Sequence, residues 1–353
     1  MGRILITGAS GFIGSHVCLV LLENGYRIIG IDSFENSSPE SLNRVLSLWG
    51  RNVKDSYKFL EIIRGDIRDK GFIEKVFKDA LLNNEPISAV IHLAGLKSVI
   101  ESVYNPFKYW EYNVMGSLNL FKVMDAFKCR TLVFSSSATV YKQSNELLKE
   151  DNPIDPIDPY GTSKAVIEKL LLDIYLTPNS NWRIINLRYF NPIGAHESGM
   201  IGEDPKFIPT NIFPLITSAA SGKIKELKVF GNDWETRDGT CIRDYIHIMD
   251  LAEGHLCALR NLENKSKEYL NINLGTGKGV TVLELISSFE KVNKITVPFK
   301  FSERRSGDKV ISVANVSLAS ELLTWESKRT LDDMCLDGWT WQKMNPNGYE
   351  KRV

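Results

Sequence analysis

The chain has no excess of either charge. Its 43 lysines and arginines balance 43 aspartates and glutamates over 353 residues. That balance removes the long-range field that draws a protein to nucleic acid or to an anionic membrane, although a local basic site for a phosphorylated ligand stays open. Paired cysteines are missing as well. Five stand at positions 18, 129, 241, 257 and 335, an odd number with no Cys-x-x-Cys, which fits reduced thiols in a cytoplasmic protein better than a disulfide framework. The five histidines are dispersed, so no metal site is expected. No apolar run reaches bilayer length, the first residues enter a strand directly without a secretory leader, and there is no internal repeat or low-complexity stretch. What remains is a globular chain long enough for two lobes with substantial cores, with a small molecule as its partner rather than nucleic acid or membrane.

Its beginning is specific. Arg3-Ile4-Leu5-Ile6-Thr7 is a short apolar run that reads as a buried strand and leads into Gly8-Ala9-Ser10-Gly11-Phe12-Ile13-Gly14. A helical pattern through Val17, Leu21 and Leu22 stops at Asn24-Gly25, and a second strand, Arg27 to Ile31, ends in Asp32. This strand, glycine turn, helix, strand and acid make a dinucleotide-binding unit. Gly8 permits a tight turn, Gly11 lets backbone approach a pyrophosphate, Gly14 lets the helix pack on the strand, and the free N–H groups of the helix start face phosphate. Asp32 can accept hydrogen bonds from ribose hydroxyls and repels a 2′-phosphate, and no arginine follows it in Ser33-Phe34-Glu35. NAD is favoured over NADP.

Further on, Tyr160-Gly161-Thr162-Ser163-Lys164 follows Pro159, where a helix can begin. Four residues apart, the phenol and the ammonium share a helix face. A free tyrosine titrates near pH ~10. A lysine cation beside it is expected to lower that value by roughly one to three units, making a base able to take a proton from an alcohol.

Strand-like runs recur with helices between them. A polar excursion, Ser33 to Ser56, holds a short helix near Leu42 to Leu48, and strands follow at Tyr57 to Arg64 and Ala89 to Leu93. A long helix is expected over Phe107 to Phe127, then a strand from Thr131 to Ser135, a helix from Tyr160 to Tyr175 and a strand from Ile184 to Arg188. This alternation predicts an α/β fold, a doubly wound parallel sheet of Rossmann type with ligands at the carboxyl ends of the strands. Residues 1–190 read as the NAD-binding domain. Residues 191–353, punctuated by Pro192, Gly194, Gly199, Gly202, Pro205, Pro209 and Pro214, read mainly as a smaller mixed α/β substrate lobe, with some segments returning to the sheet domain.

Together these motifs resemble the extended short-chain dehydrogenase/reductase family. Ser135 to Tyr141, Arg188 to His196, Arg243 to Ala252 and Trp339 to Lys343 narrow the resemblance to the UDP-glucose (UDP-galactose) 4-epimerase family, over nearly the whole chain. The resemblance implies NAD held by Gly8, Gly11, Phe12, Ile13, Gly14, Asp32, Asn36, Asp66, Ile67, Leu93, Ala94, Gly95, Lys97, Asn113, Lys164 and Phe190, together with Ser137 and Tyr160. It implies Tyr160 as catalytic base, Ser137 as its hydroxyl partner and Lys164 beside them. It places a UDP-sugar against Lys97, Ser137, Tyr160, Asn191, Asn211, Lys228, Val229, Phe230, Arg243, Arg305, Asp308 and Ser312, and it implies a homodimer. The chain departs from the family pattern at Lys142, usually glycine, and at Ile311-Ser312-Val313, where a bulkier or aromatic residue is common. The second departure bears on which sugars fit.

Plainer readings stand beside these. Ser137 can be a strand-end serine bonded to backbone, Arg243 an ion-pair partner of Asp244, Arg305 part of a solvated charge run, Asn113 a helix pin and Asp66 a helix cap, and Trp339 and Trp341 read as core. Two rival functions share the fold. A sugar-nucleotide dehydratase or decarboxylase on this scaffold needs further acid–base groups, and Ala138-Thr139-Val140 supplies no carboxylate for elimination. A non-catalytic NAD-sensing scaffold need not keep both Tyr160 and Lys164.

Overall fold

The computed structural model describes residues 2–50, 58–206, 209–305 and 307–350. Tyr57 and the part of the polar excursion from 51 to 56 lie outside the described residues. The chain forms two compact units, one of residues 1–140, 156–188 and 252–272, the other of 141–155, 189–251 and 273–353.

The strands are β1 (Arg3–Thr7), β2 (Ile28–Asp32), β3 (Leu60–Arg64), β4 (Ile87–His92), β5 (Thr131–Ser137), β6 (Arg183–Tyr189), β7 (Asn191–Ile193), β8 (Leu227–Phe230), β9 (Ile242–His247), β10 (Glu268–Leu274), β11 (Gly279–Thr281), β12 (Phe299–Ser302) and β13 (Ile311–Ser312). The helices are α1 (Phe12–Glu23), α2 (Glu40–Trp49), α3 (Lys70–Leu82), α4 (Val99–Tyr104), α5 (Pro106–Tyr109), α6 (Gly116–Ala126), α7 (Pro159–Leu176), α8 (Ile212–Ala220), α9 (Ile248–Glu263), α10 (Val282–Asn293), α11 (Ser317–Leu323) and α12 (Leu331–Met344), with a π-helix at Trp110–Met115.

A Rossmann-like sheet of seven strands, ordered β10-β6-β5-β4-β1-β2-β3, carries the first unit. The pairs β1–β2, β1–β4, β2–β3 and β4–β5 are parallel. β1 and β2 are almost wholly buried and, between their polar end residues Arg3, Thr7 and Asp32, without a polar side chain, as strands covered on both faces must be. Leu5, Val90, Leu132 and Ile184 of the sheet join Ile73 and Phe77 of α3, Leu120 and Phe121 of α6 and Ile167 and Leu171 of α7 in one core. The strand order reverses between β1 and β4, the switch point where open parallel sheets take ligands.

The helix expected over Phe107 to Phe127 is not continuous. It is preceded by α4, restarts at Pro106, the first residue of α5, and passes through the π-helix into α6. Tyr109, Asn113, Ser117 and Phe121 are all buried at a spacing of four. In a 3.6-residue helix such a repeat drifts by about 40° per step. The wider π turn absorbs the drift and keeps these side chains in line.

The second unit is mixed α/β. β9 pairs in parallel with β7 and β13 and antiparallel with β11, while β8 and β12 form a parallel pair of their own. Phe213 of α8, Leu285 and Phe289 of α10 and Met334 and Trp339 of α12 close its core with Val229 and Tyr245. Trp341 stacks with Tyr349 at 4.8 Å, so both tryptophans are packing residues. Residues 141–155, expected with the N-terminal domain, group here instead. Leu148 exchanges backbone hydrogen bonds with Val313 and Asn315, and the Asn273 amide donates to the Leu148 carbonyl at 2.8 Å. Such non-local pairing leaves no periodic mark in the sequence.

Gly8 is left-handed at φ +71°, and a Cβ on Gly14 would lie 2.2 Å from the Gly8 carbonyl oxygen. Gly25 is also left-handed, at φ +81°, with nothing within 4 Å. Gly14→Ala should lose roughly 3 kcal/mol or more, because rigid backbone must move. Gly25→Ala should lose about 1 kcal/mol from conformation alone. Urea denaturation of the two variants checks the ordering.

Candidate active site

In the first unit the candidate residues collect at the carboxyl ends of β1, β2, β4 and β5. The turn after β1 is a cradle with open donors. Gly11 caps α1 without any side-chain hydrogen bond, whereas Asp69, Asp158 and Thr281 cap α3, α7 and α10 through their side chains. The first N–H groups of α1 are thus left for an anion. Among the described residues the Ser10 hydroxyl at the same turn is buried without a partner. Asp32, the last residue of β2, is held by Ser10 N at 2.9 Å, Phe34 N at 2.9 Å and the Ser37 hydroxyl at 2.7 Å, and Asn36 lies exposed just beyond it. A small turn with free donors next to an oriented carboxylate fits a dinucleotide.

The loop after β4 carries Leu93, Ala94, Gly95 and Lys97. Asn113, from the π-helix, pins it: Leu96 N donates to Asn113 Oδ1 at 2.8 Å, and Asn113 Nδ2 donates to Leu96 O at 3.1 Å and to Ser163 Oγ at 3.0 Å. Beneath this loop, His92 bonds Thr7 Oγ1 at 2.7 Å and Ser117 Oγ at 2.8 Å. Burial, with the Lys164 charge adding to it, lowers His92 to about 3, so it is a neutral structural imidazole. Asp66 is clamped by Arg68 at 2.7 Å. Burial works against its ionisation, but the Arg68 hydrogen bonds prevail and hold it below the usual carboxylate range. Asp69, not Asp66, caps α3. Ile67 packs in the core, which leaves its backbone to meet a ligand.

α7 begins where the sequence indicates. Pro159 is its first residue and Asp158 caps it, accepting from Gly161 N at 2.8 Å. Tyr160 and Lys164 follow one turn apart. The Lys164 ammonium is buried and donates to the Ser135 carbonyl at 2.7 Å. Ser137 ends β5 and accepts from Thr139 N at 3.2 Å and Thr139 Oγ1 at 3.0 Å. Tyr109 meets the Tyr160 ring edge-on at 6.4 Å. The expected lowering of the phenol is reversed. Burial pushes Tyr160 up to about 12, the hydrogen bond with Ser137 opposing and the Asp158 charge adding to the rise. Burial lowers Lys164 to about 8, with Glu168 opposing. An environment dry enough to position both groups disfavours both charges.

The second unit has its own cluster. Arg305 lies 3.1 Å from Asp308 and 4.6 Å from the centre of the Phe230 ring. Arg243 donates to the Ile242 and Lys309 carbonyls at 2.9 and 2.7 Å and approaches Asp308 at 3.8 Å. It does not pair with Asp244, whose buried carboxylate instead accepts from Thr276, Gly277 and Ala314. Ser312, on β13, is buried in register with Arg243. Phe190 is buried, Asn191 opens β7, and Asn211 and Lys228 are exposed. Val229 points into the core because strand side chains alternate, so its side chain is not open to a ligand.

Residues 4–275 match the family model described as the NAD dependent epimerase/dehydratase family. The chain belongs to this family. NAD is its cofactor. The chain is 46% identical over 352 residues to a bifunctional UDP-glucose 4-epimerase and UDP-xylose 4-epimerase of Arabidopsis thaliana, covering 99% of this chain and 98% of that protein. It is 45% identical to the UDP-glucose 4-epimerase of Bacillus subtilis, with 98% of each chain covered. Among solved structures, the UDP-glucose 4-epimerase of Bifidobacterium longum in complex with NAD+ and UDP superposes with a TM-score of 0.90 at 41% identity, covering 98% of this chain and 99% of that one.

Within this epimerase/dehydratase site the sequence reading missed the residues that hold others in place. Arg68 fixes Asp66. Ser163 joins Asn113 to the Tyr160 carbonyl, accepting from the first and donating to the second at 2.7 Å. Glu168 lies one turn beyond Lys164, and that i+4 spacing was the available signal.

Lys164 yields a stability prediction. Its folded value, about 8, lies below the ordinary 10.5. Between those values the unfolded chain keeps a proton that the folded chain releases, so this group stabilises the fold as pH rises and weighs against it below pH 8. Cofactor-stripped Lys164→Met should therefore melt no lower than the parent at pH 7, with any advantage shrinking between about pH 8 and 10.5, and it should retain NAD poorly. Thermal melts across pH check this. A much lower melting point at pH 7 would mean that the Ser135 bond dominates.

Proposed function

We infer that the protein interconverts UDP-glucose and UDP-galactose by transient oxidation at C4 of the hexose. The observation that carries this reading is the arrangement of Tyr160, Lys164 and Ser137 in the same unit as the open helix start after β1. Gly8, Gly11, Gly14 and Asp32 would hold the dinucleotide, with the loop from Leu93 to Lys97, and Lys164 would bond its nicotinamide ribose. Bound NAD supplies a hydride acceptor and donor and, when oxidised, a positive charge near the phenol. Tyr160 takes the proton of the 4-hydroxyl and later returns it to the oxygen of the other epimer. Ser137 bonds the same oxygen and fixes its direction. Arg243 and Arg305 would meet the diphosphate through charge-assisted bonds, and Phe230, with Arg305 already over its ring, offers a stacking face for the base.

No further reactant is consumed, so the cofactor is expected to stay bound. Protein purified without added NAD should release it on denaturation in near-stoichiometric amount. Tyr160→Phe should still hold UDP but turn over ~10²–10⁴ times more slowly, the usual loss of a general base. NMR of products formed from UDP-glucose and from UDP-galactose tests the reaction itself. A parent protein that yields neither epimer overturns the reading.

We place the enzyme in the cytoplasm as a homodimer. The five cysteines are free, and among the described residues no helix is long and apolar enough to cross a membrane. Val103, Tyr104 and Phe107 of α4 and α5 are exposed, Phe107 by 88 %, an apolar surface of the kind a second copy would cover.

Ser312 bears on sugar size. It is buried beside Arg243 in the strand register; in this reading its few heavy atoms would leave space for a 2-acetamido group, and UDP-GlcNAc and UDP-GalNAc should be interconverted too. Ser312→Tyr should abolish that activity, through a clash of roughly 1–3 kcal/mol or more, while sparing the plain hexoses. Equal loss on both substrate pairs, or no N-acetyl activity in the parent, counts against this role.

A further inference from the structure

Glu168 is a buried carboxylate that the reaction above does not use. It sits on α7, one turn beyond Lys164, between two elements. The Ser136 hydroxyl of β5 donates to its Oε1. Arg188 of β6 donates to it twice, Nε to Oε1 at 3.0 Å and Nη2 to Oε2 at 2.7 Å. Both side chains of the pair are almost fully buried. Three consecutive serines therefore dock β5 on α7. Ser135 accepts the Lys164 ammonium on its carbonyl, Ser136 binds Glu168, and Ser137, next along, acts on the Tyr160 phenol to favour its charged form.

A two-pronged ion pair with a third hydrogen bond has one geometry, because the planar guanidinium and the carboxylate match edge to edge. The pair thus fixes the register of α7 on the sheet, and with it the position of the Tyr160 hydroxyl relative to Ser137. We propose that Glu168 is a positioning residue for the Tyr160–Lys164 pair, setting the seat of α7 on β5 and β6 and supplying the counter-charge to the buried Lys164 ammonium. The inference rests on Tyr160 and Lys164 being the catalytic pair.

The charged and titratable groups around Lys164 and Glu168 can be named. Arg188 faces Glu168 from β6, and Tyr269 of β10 donates to the Glu168 carbonyl at 3.0 Å. His92 of β4 interacts with the Lys164 charge and stays neutral. On α7 and its cap stand Tyr160 and Asp158. Of these, Glu168 is the one that favours the Lys164 ammonium against burial. Without it, the cation loses its proton at lower pH.

The test is a pH profile of turnover on NAD-loaded enzyme with UDP-galactose, for Glu168→Gln, Glu168→Asp and Ser136→Ala. Glu168→Gln should lower kcat about tenfold or more with little change in KM, and move the alkaline limb down by about one pH unit. Glu168→Asp, which keeps the charge, should restore the limb to its parental position. Ser136→Ala should lower kcat a few-fold without moving the limb. A folded, NAD-retaining Glu168→Gln enzyme whose profile superimposes on that of the parent would overturn the proposal and leave Glu168 a structural ion-pair partner. If Glu168→Gln does not fold, Arg188→Lys, which keeps the charge but loses the two-pronged fork, carries the test. A kcat lowered several-fold with KM and NAD retention unchanged supports the proposal, and a parental kcat overturns it. Failure of the catalytic reading itself would appear separately, as a Tyr160→Phe enzyme that turns over normally.

Discussion

The hydrogen bond from the Lys164 ammonium to the Ser135 carbonyl sets the terms for the catalytic end of the first unit. A cation taken out of water must find its partners inside the protein. Here the partner is backbone at the end of β5, so helix and strand have to meet within hydrogen-bonding distance at that point. The next two residues of the strand continue the contact with their hydroxyls. What looks in the sequence like a plain Ser-Ser-Ser is a graded interface, in which backbone holds a cation, one hydroxyl holds a carboxylate and the last is directed at a phenol. The same dryness that positions the phenol and the ammonium also disfavours their charges. Burial thus raises the phenol and lowers the ammonium, and a positive charge placed beside the phenol would act in the opposite sense on it.

A second economy concerns helix starts. α3, α7 and α10 satisfy first-turn N–H groups with their own side chains, and α10 does so with a full capping box in which Thr281 and Glu284 serve each other. α1 has glycine where the others have an oxygen. That omission costs helix stability relative to a side-chain cap, and an anion accepting the same N–H groups would offset it.

Much of this was legible because it is local. The glycine turn, Asp32 at the end of β2 and the Pro159 start of α7 are set by neighbours within a few residues, and the sequence locates each to within about a residue. The direction of the Tyr160 shift was not legible. It depends on how far the folded chain buries the phenol, which no local pattern shows. Glu168 escaped because its partners, Ser136 and Arg188, come from two other elements. Residues 141–155 escaped because Leu148 bonds Asn273, Val313 and Asn315, all more than a hundred positions away. Val229 and Ile67 show the limit of carrying motifs over position by position, since both were expected at a ligand and both point their side chains into the core.

The π-helix at Trp110–Met115 has a consequence for how this chain can change length. Each residue of a regular helix turns the next by about 100°, and the widened turn holds one residue more than an α-helix would at the same height. A single deletion there would tighten the turn into regular α-helix and leave α5 and α6 near their present relative rotation, provided the residue lost is not Asn113, which pins the loop after β4. A residue lost from a regular helix would instead turn everything beyond it by about 100°. These six residues are therefore a place where the chain can shorten by one without re-aiming the helices on either side.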